Sequence, residues 1–176
     1  FYEENFQRAT AQMDANARNM AQLIFRKGSA EGRGLPSGTA MVQKNNGWFG
    51  GLPVAPDMPI DEDVITPEDL SVYAEALQRS GFFGPNSWYM NHEVNAAFFN
   101  TLQNAGRMDL PALFVHARYD YTCETIDSQL AEPMRSLCSN LTETIIDSGH
   151  WMAQEKPMEV NRHIAKWILN RVPELA

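Results

Sequence analysis

A chain of 176 residues with 44% hydrophobic content can bury a real core, yet no apolar run approaches the ~20 residues that span a bilayer. A net charge of −8 with scattered Lys and Arg argues against a nucleic-acid partner, which wants a clustered basic patch. Two cysteines, Cys123 and Cys138, are too few for a disulfide framework and read as reduced thiols of a cytoplasmic protein. The histidines lie far apart and no Cys/His pair falls at zinc spacing, so no metal or cofactor is expected.

No signal-peptide pattern is visible, and the chain opens on Phe rather than Met. Apolar spacing predicts a first helix over about 9–26, with Met13, Ala17, Met20, Leu23 and Ile24 near one face. A Gly/Pro-rich stretch follows over about 27–65. It is too long for an ordinary connection, and Trp48 and Phe49 in its middle favour an ordered binding or lid loop. Thr66-Pro67-Glu68-Asp69 opens a second helix with a capping hydroxyl, a proline and two acids. It runs to Ser80, and Gly81 closes it. Gly81 to Pro85 is a turn, and a third helix is expected from about 86 to 104. Phe82, Phe83 and Trp88 are expected in the core.

From about 108 the rhythm changes. A strand over 111–117, a helix over about 125–138, a strand over 141–146 and a helix over 157–171 follow one another. That alternation is the signature of a parallel α/β sheet. Val160, Ile164, Trp167 and Ile168 give the last helix an apolar stripe. Two parallel strands do not make a stable sheet alone, so the chain reads as the C-terminal piece of a larger fold.

The chemistry gathers at the strand ends. Asp120 directly follows the first strand and His150, in Ser148-Gly-His-Trp151, directly follows the second. An aspartate after a strand is also a common turn former. Here, however, the separation of thirty positions leaves room for one helix and one strand, and such a crossover brings both residues to one sheet edge. A neutral imidazole there can take a proton from water, with the carboxylate orienting it. Trp151 would line a pocket beside it. No G-x-S-x-G or G-x-D-x-G elbow and no H-G-x-P loop occurs, so the chain holds no recognisable nucleophile.

Three segments carry a resemblance. Ser80-Gly-Phe-Phe-Gly-Pro-Asn-Ser-Trp-Tyr-Met-Asn91 is similar to the motif S/T-G-F-x-G-P-x-x-W-Y-R-N, with Met90 where Arg is usual. Leu110-Pro-Ala-Leu-Phe-Val-His-Ala-Arg-Tyr-Asp120 is similar to a strand and turn carrying a triad acid. Asp147-Ser-Gly-His-Trp-Met-Ala-Gln-Glu-Lys-Pro-Met-Glu-Val-Asn161 is similar to G-H-W-x-x-x-E-x-P-x-x-V-N. Together they resemble the soluble, cap-bearing epoxide hydrolases of the α/β-hydrolase superfamily. The first motif is specific to them; the others are shared with dehalogenases.

The resemblance implies an α/β-hydrolase fold, with a helical cap over 1–107 and the last two parallel strands and helices of the core over 108–176. It implies that an epoxide is opened to a vicinal diol through a covalent ester. Tyr89 would hold the epoxide oxygen, while Asp120 and His150 would complete the triad. The nucleophilic Asp would lie on a missing N-terminal part, the chain's expected partner, and the substrate would be a small apolar epoxide. The family's second cap tyrosine aligns just before Phe1, and Tyr2 is the weaker candidate for it. The rival readings are another cap-bearing hydrolase (haloalkane dehalogenase or esterase) or a truncated binding module. On its own, Tyr89 also fits an amphipathic packing residue.

Overall fold

The computed structural model describes residues 1–172; the end of the expected core, 173–176, lies outside the described residues. These residues form two compact units, one of 1–27 and 34–97, the other of 28–33 and the described residues from 98 onward.

The first unit is helical. α1 (Tyr2–Asp14) and α2 (Ala17–Ile24) replace the single helix read from the sequence. The apolar stripe continues across the break, but Asn16 leaves helical geometry and its side chain accepts the Asn19 N–H, starting a new helix. α3 (Pro67–Ser80) matches expectation at both ends: Thr66 Oγ1 accepts the Asp69 N–H at 3.1 Å, and Gly81 closes it at φ 68°. The expected helix over 86–104 is shorter and broken. α4 (Phe83–Ser87) passes into a 3-10 turn over Trp88–Met90, and α5 (His92–Phe99) stops before the left-handed pair Ala105 and Gly106.

The core of this unit joins Met13, Ala17 and Met20 to Phe49, Ala55 and Phe82. Phe49 and Ala55 come from the long loop, which is ordered and carries two short 3-10 turns. Its backbone is satisfied by side chains of α2 and the residues just after it. Asn19 Nδ2 donates to Ala55 O at 3.0 Å, Gln22 Nε2 to Met58 O at 2.8 Å, and Arg26 Nη1 to Pro59 O at 2.6 Å. Phe82 is buried as expected, but Phe83 and Trp88 are 64% and 76% exposed, because the α4 turn directs them outward.

The second unit holds β1 (Ala112–Ala117) and β2 (Leu141–Ile146), parallel and in register from Ala112 opposite Leu141 to Ala117 opposite Ile146. The crossover helix is shorter than expected: α6 spans only Glu132–Leu137. The segment before it folds around Glu124, whose carboxylate accepts the N–H groups of Ile126, Asp127 and Ser128 in a turn that does not continue directly into a helix. α7 (Met152–Glu155) and α8 (Pro157–Arg171) follow β2, and α8 packs on both strands. Most strand positions are half-buried rather than enclosed on both faces. Ile164, expected in the buried stripe of α8, is 40% exposed; neighbouring His163 instead meets Thr144 Oγ1 at 3.1 Å. No described helix is long and apolar enough to cross a membrane.

Candidate active site

The parallel ladder continues past the ends of both strands. The Arg118 N–H donates to Ile146 O and the Tyr119 N–H to Ser148 O, each at 2.9 Å. These bonds tie the turn after β1 to the turn after β2 and bring Asp120 and His150 to one sheet edge.

Asp120 is pinned at both oxygens. Oδ1 accepts the N–H groups of Thr122 and Cys123 at 3.0 Å each, closing the turn on the side chain. Oδ2 faces His150 Nδ1 at 2.9 Å. A carboxylate only accepts, so Nδ1 carries the proton and donates, which leaves Nε2 with a free lone pair. His150 keeps 44% of its side-chain surface exposed, while Asp120 keeps 12%. Burial pushes the Asp120 carboxyl up, but the bonds from His150, Cys123 and Thr122 outweigh it and hold the group below the usual range. The same bond from His150 to Asp120 raises the imidazole against an opposing burial effect. Trp151 stands edge-on to the imidazole, with ring centroids 5.2 Å apart at 86°.

Cys123 reads from the sequence only as a reduced thiol, yet its Sγ lies near both groups. Donor atoms of Asp120, Cys123 and His150 fall within 4.8 Å of one another. Ligands of a tetrahedral zinc, with bonds of about 2.0–2.3 Å, must converge more closely, and the Nδ1 proton occupies one donor. The Cys123 thiol is pushed up, first by burial and then by Asp120, away from the thiolate a metal needs. The set is better suited to holding a proton than an ion. Cys123 and Cys138 are both free.

Tyr89 lies in the first unit, on the 3-10 turn after α4, and is 47% exposed. Tyr2 stacks on it, with centroids 4.8 Å apart and planes 8° from parallel. The Tyr2 hydroxyl accepts from Trp48 Nε1 at 3.0 Å, and burial pushes its pKa up to about 12. The two phenols, with Phe1, Glu3 and His92, border a recess of about 350 Å³. The structure thus brings Asp120, His150 and Trp151 together in one unit and Tyr89 with Tyr2 in the other. The partner of Gly149 was also missed: Glu155, present in the Gly-His-Trp motif without an assigned role, takes its N–H at 2.8 Å.

No family model matches the chain. It is 33% identical over 132 residues to bifunctional epoxide hydrolase 2 of Sus scrofa, a match covering 74% of this chain and 22% of that protein. It is 30% identical over 166 residues to bifunctional epoxide hydrolase 2 of Rattus norvegicus, covering 93% of this chain and 28% of the relative. Among solved structures, epoxide hydrolase A from Mycobacterium thermoresistibile aligns with a TM-score of 0.69 at 23% identity, over 97% of this chain and 52% of that one. A Vigna radiata epoxide hydrolase mutant aligns at 0.66 and 21% identity, over 92% and 49%. The chain therefore spans about a quarter of the length of these curated relatives and about half of these solved chains. The order of β1, α6, β2 and α8, the strand-end pair and these likenesses agree: the chain has the C-terminal part of the α/β-hydrolase fold and is similar to epoxide hydrolases over that part of their length.

Proposed function

We propose that this chain supplies the acid–base pair and an oxygen-binding phenol of an enzyme that hydrolyses epoxides to vicinal diols. The observation that carries the reading is the 2.9 Å bond between His150 Nδ1 and Asp120 Oδ2, which leaves Nε2 free to accept a proton. An aspartate from an N-terminal part of the hydrolase core attacks an epoxide carbon. The ring C–O bond breaks, and Tyr89 donates a proton to the leaving oxygen. His150 then takes a proton from water, whose oxygen attacks the ester carbonyl. The C–O bond from the carbonyl to the diol breaks, the departing diol oxygen takes the proton back from the His150 imidazolium that Asp120 has stabilised, and the proton left on the regenerated aspartate returns Tyr89 to the phenol. Trp151 shapes the pocket wall beside the base. Residues 1–107 act as the helical cap and 108–176 as the end of the core. The apolar side chains near Tyr89 suit a small apolar epoxide, and two free thiols suit the cytoplasm.

The test uses the complete enzyme, with the N-terminal core present. His150→Gln should accumulate a covalent substrate adduct, seen as added mass, with turnover down by roughly 10²–10⁴-fold. Tyr89→Phe should lose epoxide opening while sparing hydrolysis of an activated ester. Epoxide turnover retained in both variants would overturn the assignment.

A further inference from the structure

Two glycines far apart in sequence meet backbone to backbone beside His150. A Cβ on Gly28 would sit 2.4 Å from Gly149 Cα, and one on Gly149 would sit 2.5 Å from Gly28 N. Room, not backbone angle, demands glycine at both positions. Their N–H groups converge on one atom: Glu155 Oε2 accepts from Gly149 at 2.8 Å and from Gly28 at 3.2 Å. The rest of segment 28–33 touches the other turn of the site. Gly32 lies against the Tyr121 ring, where an added Cβ would be 2.7 Å from Cε2, and Arg33 Nη2 meets Asp127 Oδ2 at 2.7 Å. Beneath the contact, Ser148 is fully buried and its carbonyl takes the Tyr119 N–H. Segment 28–33 is thus fastened both to the turn that carries Asp120 and to the turn that carries His150.

We propose that Glu155 is a positioning residue for His150: its carboxylate clasps Gly149 to Gly28, and segment 28–33 thereby sets the position of the imidazole relative to Asp120. The chemistry suits the task. An ionised oxygen accepting two amide N–H groups makes charge-assisted bonds, stronger than neutral ones, and both donors would otherwise be short of a partner in a half-buried site. Glu155 ends the one-turn helix α7, so the chain folds back from His150 within six residues to hold the residue just before it. The inference rests on the reading of His150 as the base, but its test requires no turnover, so either can fail alone.

The experiment is NMR on the chain as it stands, comparing Glu155→Ala and Glu155→Gln with the parent. Amide exchange at Gly28 and Gly149 and the titration of His150 are read together. Glu155→Ala should speed exchange at both amides by tenfold or more and move the His150 midpoint down as its bond to Asp120 loosens. Glu155→Gln keeps a carbonyl acceptor and should restore most of the protection and the midpoint. Should the alanine variant unfold, the glutamine variant carries the test: the small loss of protection left by its neutral carbonyl must appear at both amides together. Exchange that rises at one glycine alone, or a His150 midpoint unmoved in the alanine variant, would reduce Glu155 to local packing and overturn the proposal.

Discussion

The long loop of the first unit and the strand-end turns of the second solve one problem in opposite ways. Residues 34–65 have no ladder, so side chains from the α2 region reach out to their carbonyls, and Phe49 anchors them in the core. The turns after β1 and β2 extend a backbone ladder, and carboxylates (Asp120, Glu124 and Glu155) collect the N–H groups left over. The loop is thus held through its acceptors and the turns through their donors. A turn held through its donors carries concentrated negative charge, and that is where a proton-handling histidine is useful.

Phe49→Ala should sharpen the contrast most. If the loop is part of the core, truncating this 7%-exposed ring should cost about 3–5 kcal/mol, read by thermal or denaturant unfolding. A near-neutral result would make the loop a passive appendage. Asp120→Asn should act through pH instead. Asp120 is held low, so its contribution is present above its ordinary value of 3.8 and is lost as pH falls through the lowered one. His150 is held high, so its contribution is full below 6.5 and is lost as pH rises through the raised value. The stability gap between parent and variant should therefore be widest between those two ordinary values and narrow on either side. Smallest, Thr66→Ala should cost about 1 kcal/mol, the usual effect of losing a capping hydroxyl.

Sequence reasoning succeeds here where the signal is local. Thr66, Pro67 and Gly81 mark both ends of α3, and β2 and α8 fall where periodicity puts them. It fails at turns built on one side chain: Asn16 splits one apolar stripe into two helices, and the amides after Glu124 turn onto its carboxylate without a helix following directly. The site divides in the same way. Asp120 and His150 were visible because each follows a strand. The Glu155 clasp was not: the motif holds Gly149 and Glu155 six residues apart, but nothing in it points to Gly28, 127 residues away.

The most direct test of the Asp120–His150 pair is the titration of His150 followed by NMR in the parent and in Asp120→Asn. The account predicts a midpoint above 6.5 in the parent, falling toward that value when the carboxylate is lost. A parent midpoint at or below 6.5 that does not move in the variant would mean the two side chains do not act as a pair, and the acid–base reading would fall with them.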